Sequence, residues 1–265
     1  MLANLRQALR DALPPRLVHA YRVARHTMLW PTEGEMVTAR QFLSPDEIAV
    51  DVGANFGLFT SVLARHAKRV VAFEPNPGCA KYLASVMPAN CEIIAKAVSD
   101  SAGTTMLRVP VSGGVAMDAL ATIETANRFD SETRAIDFAE HKVETVTLDQ
   151  VLLDPVRSGT RVGFVNIDAE GHEFAVLRGG EAVLAAQRPV LLVELEYRHG
   201  AAVAEIFDWL KARHYSPRAL IDGNALAPID PVTLRGLQDE ERLAGRLAGK
   251  RLSGYVNNIF FLPEN

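Results

Sequence analysis

From residue 48 onward, short apolar runs alternate with amphipathic stretches, and the pattern predicts strands and helices in turn. Ile48-Ala-Val50 leads a strand over 48–52, and Leu58, Val62 and Leu63 mark a helix that takes in 59–65. Further strands are predicted at 70–73, 92–98, 143–147, 161–168, 189–194 and 257–262. Helices are predicted at 79–87, from 148 to 152, through Phe174, Leu177 and Val183, and through Val203, Ile206, Phe207 and Leu210. Such alternation builds a parallel sheet with helices on both faces and right-handed crossovers.

Two stretches depart from it. Near the start, Leu2, Leu5, Leu9 and Ala12 share a helical face that Pro14-Pro15 ends. Leu17, Tyr21, Ala24 and Met28 repeat the pattern between Arg16, Arg22 and Arg25. This arm reads as helices capping the core, or as a homodimer contact or attachment to a membrane surface. Between residues 110 and 141 periodicity fails: Val111-Ser-Gly-Gly114 is flexible and 118–137 is polar and mixed in sign. A stretch of that length is a lid or binding loop, or a surface excursion. As a lid, it would offer Met117, Leu120, Ile123 and Phe129 to a pocket.

With 265 residues, 48% of them hydrophobic, the chain suits one globular domain with small additions. Its net charge of -4 supplies no basic face, so no nucleic-acid partner is expected. Cys79 and Cys91 are too few for a disulfide framework and sit in no zinc cluster, which points to a reducing, cytoplasmic setting. No apolar run is long enough for a transmembrane segment. Arg6, Arg10 and Arg16 interrupt what would be the apolar core of a signal peptide.

The chemistry begins at Asp51-Val-Gly-Ala-Asn-Phe-Gly57, a glycine-containing turn between a strand and a helix. That order makes a small-molecule cradle at the carboxyl edge of a parallel sheet. A dinucleotide needs Gly-x-Gly-x-x-Gly, and here Asn55 replaces the middle glycine. Asp51, at the strand end, would repel a pyrophosphate but could orient an ammonium group. Glu74 closes the second strand about 20 residues later, the distance at which an acid holds a ribose. S-adenosylmethionine has the ammonium, the ribose and no phosphate. An ordinary tight turn is the plainer reading of the glycines alone.

Strand-end topology also gathers Asp51, Asp168 and Glu194, with Glu170 and His172 on the turn after Asp168. Histidine is the side-chain type suited to proton transfer near neutral pH, so His172 could act as a base, with Asp168, Glu170 or Glu194 orienting it or serving instead. The same acids could bind magnesium, but no tight ligand spacing calls for a metal and none is expected. His172 and Glu170 are equally the residue types that start helices. No Gly-x-Ser-x-Gly elbow, phosphate loop or His-Glu-x-x-His is present.

Several motifs in order, Val50 to Gly57, Ala72-Phe-Glu-Pro-Asn-Pro77, Ala97-Val-Ser-Asp100, Thr147-Leu-Asp149, Ile167-Asp-Ala-Glu-Gly-His-Glu173, Arg188 to Glu194 and Asn258 to Pro263, resemble the FkbM-type methyltransferases. The resemblance runs from about Ser44 to Pro263, departing at Ala169, where valine is more usual. It implies a class I methyltransferase fold, a Rossmann-like, mostly parallel seven-stranded sheet with helices on both faces, here with N-terminal helices added. Residues 1–43 would be the helical arm and 44–265 the catalytic domain, with 110–142 a lid or substrate-binding insertion.

The implied activity is S-adenosylmethionine-dependent O-methylation of a hydroxyl on a sugar, glycan or other natural product. Asp51, Gly53, Ala54, Asn55, Gly57 and Thr60 would line the methionine end of the cofactor. Glu74 and Pro75 would lie at the ribose, and Ala97 and Val98 near adenine. Asp168, Glu170, His172 and Glu194 would border the acceptor. The Asn/Asp-Pro-Pro-aromatic motif of many amino-group methyltransferases is missing after Asp168, which favours oxygen as acceptor. A nicotinamide-dependent oxidoreductase and a non-catalytic scaffold are the alternatives.

Overall fold

A computed structural model of the chain describes residues 13–29, 34–112, 115–124, 137–157, 159–199, 202–221, 225–247 and 254–264. The expected helix through Leu2, Leu5, Leu9 and Ala12 therefore lies outside the described residues, as does Phe129. Helix α1 (Pro15–Ala24) starts on a proline, whose missing amide costs nothing at that position, and runs on into a π-helical turn over Arg25–Leu29. The short α2 (Gly34–Thr38) follows.

The alternation then proceeds as β1 (Ile48–Val52), α3 (Leu58–Ala64), β2 (Arg69–Phe73), α4 (Pro77–Val86) and β3 (Cys91–Ile94). Next come β4 (Ala97–Val98), β5 (Gly103–Ser112), β6 (Val115–Ala116) and β7 (Asp137–Val146). The chain resumes with α5 (Leu148–Arg157), β8 (Val162–Ile167), α6 (Glu173–Gly179), α7 (Glu181–Gln187) and β9 (Val190–Glu194). It ends with α8 (Val203–Lys211), β10 (Tyr215–Ile221), β11 (Ala225–Pro228), α9 (Pro231–Gly236), α10 (Glu240–Leu247) and β12 (Asn258–Pro263).

Among the described residues the main sheet has eight strands in the order β11-β10-β12-β9-β8-β1-β2-β3, not the expected seven. From β9 to β3 the neighbours are parallel, whereas β12, β10 and β11 each pair antiparallel with the next. The β10–β11 pair escaped the hydropathy pattern because Tyr215–Ile221 does not alternate cleanly; only Tyr215, Ala219 and Leu220 of it are buried. The predicted strand over 92–98 is really two, since the backbone bends at Lys96, whose amide bonds the Ile94 carbonyl at 2.8 Å.

After the bend, β4 joins a second sheet, ordered β4-β7-β5-β6, which also takes the strand expected at 143–147. Here β5 and β7 pair from Gly103 opposite Thr145 to Val111 opposite Asp137. Both ends of the segment read as irregular thus belong to a long hairpin, whose Leu107, Val109 and Val143 form a small core with Ala97.

Alternate residues of the central strands feed the two faces of the main sheet. Val50, Val165, Leu191 and Phe261 pack with Leu177 and Ile206 on one side. Ala49, Phe164, Leu192 and Phe260 pack with Leu63 and Leu83 on the other. From β1 the chain first builds outward through β2 and β3, then returns to place β8 on the opposite side. The reversal opens a crevice at the carboxyl ends of β1 and β8, where such sheets bind ligands.

Helix α1 rests on α3 and α4. His19 Nε2 lies 2.7 Å from Ser61 Oγ and Nδ1 lies 3.2 Å from the Tyr82 hydroxyl. Ser61 gives its own proton to the Gly57 carbonyl, so Nε2 is the donor toward it.

Candidate active site where β1 and β8 end

Gly53 starts the turn that leaves β1. Its φ is +84°, and a Cβ built on it would lie 1.8 Å from the Asp168 carbonyl oxygen, so the turn presses on the end of β8 with no room for a side chain. The amides of Gly53 and Ala54 both donate to the Phe73 carbonyl at 3.0 Å. Asn55 follows with φ 49°, a conformation a non-glycine residue holds only where its surroundings impose it.

Glu74 fastens this turn to the end of β2. Its Oε2 accepts the Asn55 amide at 2.6 Å and its Oε1 the Asn76 amide at 2.7 Å. Burial pushes its carboxyl up to about 7 despite those two bonds. Each oxygen keeps further acceptor capacity. Asn76 caps α4 through the Gly78 amide and donates to Asp118 Oδ1 at 2.8 Å.

Asp51 stands elsewhere than its sequence position suggested. It is fully buried and off the cavity wall, with Oδ2 accepting the Thr60 hydroxyl at 2.5 Å and Oδ1 accepting Asn166 Nδ2 at 2.9 Å. Burial raises its pKa. It ties β1, α3 and β8 together. Ala54, Gly57, Thr60 and Glu194 are also absent from the wall.

The wall itself brings together Gly53, Asn55, Glu74, Pro75, Ala97 and Val98 from the expected cofactor set with Asp168, Glu170 and His172 from the expected reaction centre. The second sheet and the chain after β6 roof it with Leu107, Asp118, Ala121, Thr122 and Ile123, and Val52, Phe73, Lys96 and Ala169 complete the lining. Thr122 pairs with Arg108 through backbone bonds of 2.9 and 3.0 Å, and its hydroxyl donates to the Glu170 carbonyl at 2.8 Å. The described part of 110–142 therefore covers the cavity. Met117 and Leu120, read as possible lining, are not on the wall.

At the other end of the cavity, His172 starts α6 and is held from both sides. Its Nε2 lies 2.9 Å from Ser99 Oγ and its Nδ1 3.2 Å from Glu124 Oε2. Glu170 has φ 50°, and its Oε2 is 3.4 Å from His199 Nε2. Burial, then Glu194, Glu196 and Glu173, keep the Glu170 carboxyl well above the usual carboxylate range. Burial and then Asp168 do the same for Glu194. Asp168, Glu170 and Glu194 each place a carboxylate oxygen within 4.8 Å of the others, as strand-end topology required. Three such oxygens could bracket a divalent cation.

Behind them, Asn257 Nδ2 donates to Glu194 and, at 2.8 Å, to Glu196, while its Oδ1 accepts Arg246 Nη1 at 2.7 Å. Glu196 also pairs with Arg198 and accepts the Tyr255 hydroxyl at 3.1 Å.

Sequence reasoning missed Ser99, Asp118, Glu124, Asn166, Glu196 and Asn257. Only Asn166 carried a signal: a lone amide within an apolar strand must find a buried partner. Ser99, Asp118, Glu124 and Asn257 lie far along the chain from the residues they support.

The family model for the methyltransferase FkbM domain matches residues 51–217. No curated protein matches the chain. Among solved structures, a methyltransferase FkbM from Methylobacillus flagellatus KT is similar at 14% identity with a TM-score of 0.46. That similarity covers 96% of this chain and 57% of that one, so this chain spans little more than half the length of that protein. An rRNA methylase from Streptococcus thermophilus is similar at 10% identity and a TM-score of 0.43, covering 87% of this chain and 95% of that one. A TehB-like SAM-dependent methyltransferase from Corynebacterium glutamicum ATCC 13032 Kitasato has 8% identity and a TM-score of 0.42, covering 92% of this chain and all of that one (100%).

Proposed function

Because this chain belongs to the FkbM family of S-adenosylmethionine-dependent methyltransferases, we propose that it methylates a hydroxyl of a sugar, glycan or other natural-product small molecule. The fold is class I methyltransferase-like, a mainly parallel α/β sheet. One observation carries the reading: the glycine turn with Glu74 and the group Asp168, Glu170 and His172 line the same cavity at the switch point.

The residues fit the cofactor. Asn55 Oδ1 is buried with no hydrogen-bond partner among the described residues, which an ammonium donor would satisfy. Glu74 keeps lone pairs for ribose hydroxyls, and Ala97 and Val98 offer apolar surface to a base. When bound, S-adenosylmethionine supplies an electrophilic methyl group on sulfur. His172 takes the proton of the acceptor hydroxyl on Nε2, exchanging its contact with Ser99 Oγ for the acceptor, while Glu124 holds the imidazole through Nδ1 and Asp168 orients the hydroxyl. In this reading residues 1–43 are the arm and 44–265 the catalytic domain, and the described part of 110–142 serves the acceptor side.

In this reading the acid cluster needs no metal. Shared protons, Arg198 and Arg246 balance its charge, so turnover should survive treatment with a chelator. The cysteines are unpaired, which supports a reducing cytoplasm. Among the described residues no helix is long and apolar enough to cross a membrane.

Calorimetry with S-adenosylhomocysteine and with NADH tests the cofactor. Uptake of the former is expected; tight binding of NADH alone would make the protein an oxidoreductase, and no uptake of either would make it a scaffold. With a methylatable acceptor in hand, Asp168→Asn and His172→Ala should each lower kcat about 100-fold or more. Affinity for S-adenosylhomocysteine should stay within about threefold, because neither side chain serves only to bind. Unchanged turnover in both variants would remove the assigned roles.

A further inference from the structure

Helix α1 packs one face against the protein and leaves an apolar stripe on the opposite side. His19 and Val23 face the protein and are buried. Leu17 and Tyr21 sit two positions back, about 200° around the helix axis, and are 58% and 63% exposed. Leu13 extends this outer stripe, and Phe56, the residue after Asn55 in the glycine turn, shares its groove. Leu13, Leu17, Tyr21 and Phe56 are four of the seven large apolar side chains left exposed among the described residues. Scattered exposed apolar residues need no explanation, but a gathered set does.

The charge around the groove has one sign. Arg22 and Arg25 line it, and among the described residues no carboxylate does. Over residues 1–32 there are five arginines and one acid, Asp11, a net charge of +4, while the whole chain carries -4. The basic charge is thus concentrated on the arm, and the rest of the protein is acidic.

Three occupants are conceivable, and the chemistry separates them. A symmetric contact with a second copy would set Arg22 and Arg25 against their own equivalents with no acid to meet them. A soluble polyanion would satisfy the arginines and leave the four apolar side chains in water. An anionic bilayer takes both, because apolar side chains enter the interface while arginines meet the headgroups.

We propose that α1 and Phe56 form a docking face for an anionic lipid bilayer. Leu13, Leu17, Tyr21 and Phe56 enter the interface, and Arg22 and Arg25 engage headgroup charge. The glycine turn, through Asn55 and Phe56, then lies beside the membrane, so the methyl-transfer site would work next to a lipid surface. The docking itself does not depend on what that site does.

Co-sedimentation of the full chain with vesicles tests this. Binding is expected to equimolar phosphatidylglycerol and phosphatidylcholine, with little to phosphatidylcholine alone, and it should weaken as salt rises. Arg22→Ala with Arg25→Ala should lower the partition coefficient about tenfold or more. Leu17→Glu with Tyr21→Glu should abolish pelleting. All four side chains are exposed, so circular dichroism and melting temperature should match the parent and report folding separately.

Absence of pelleting with the anionic vesicles would overturn the proposal. So would equal pelleting of parent and variants, or binding to heparin that matches binding to vesicles and ignores Leu17→Glu with Tyr21→Glu. A dimer in light scattering that this apolar pair of substitutions turns into a monomer would assign the face to a second copy instead.

Discussion

Gly53→Ala should destabilise the protein by roughly 3–5 kcal/mol and abolish binding of S-adenosylhomocysteine. Two costs combine. At φ +84° a β-carbon is strained in itself, on the order of 1–2 kcal/mol. The new methyl would also sit 1.8 Å from the Asp168 carbonyl oxygen, so β1 and β8 would have to part at the point where the cavity is formed. Gly159 separates the two terms. Its φ is +85° and a Cβ there would meet nothing within 4 Å. Gly159→Ala should therefore cost about 1 kcal/mol, and the excess at Gly53 measures the close approach. Urea midpoints of both variants check this. Equal losses would mean that the turn does not press on β8.

Stability should fall as pH rises from about 5 to above 7, and Glu173→Gln should remove one carboxyl's share of that fall. Glu173 is 2% exposed, and its Oε1 accepts the amides of Ala169 at 3.2 Å and Gly171 at 2.9 Å. Burial pushes its carboxyl up to about 7 from the 4.5 of an ordinary glutamate. Between those pH values the folded chain holds a proton that the unfolded chain has released, so raising the pH through the window favours unfolding. The loss for this one group is on the order of 3 kcal/mol. Glutamine keeps the acceptor oxygen and cannot ionise. The two proteins should be about equally stable near pH 4.5, with the variant more stable at pH 8. Glu74, also raised to about 7 by burial, titrates in the same direction in both and cancels from the comparison. Parallel curves, or a variant weaker than the parent at pH 8, would show that Glu173 is ionised in the native state.

Much of the site was legible because its signals are local. A strand, a turn with Gly53 and Gly57, and an acid about 20 residues on occupy one stretch of chain, and neighbouring residues determine such a unit. Asp168, Glu170 and His172 were found the same way, as the end of an apolar strand and the turn beyond it. Asp51 shows where the inference stops. It was legible as a strand-end acid, but nothing nearby in sequence shows that Thr60 and Asn166 enclose it.

The second sheet was hidden for a related reason. Residues 92–98 read as one β-rich run, and hydropathy contains no mark for the bend that sends Ala97 and Val98 to β7. Ser99 and Glu124, which hold His172 from either side, approach it only once that sheet closes over the cavity.

The amino-acid order alone determined which segments became the central strands and their helices, where the glycine turn fell, and which acids stood at strand ends. All of these follow from periodicity and turn chemistry over a few residues. Folding in three dimensions decided the rest: how many strands each sheet has, which acid faces the cavity and which lies beneath it, and that Asn257 and Arg246 stand behind Glu194. Those features depend on contacts between residues tens of positions apart, and packing and hydrogen-bond satisfaction choose such contacts only when the whole chain has closed.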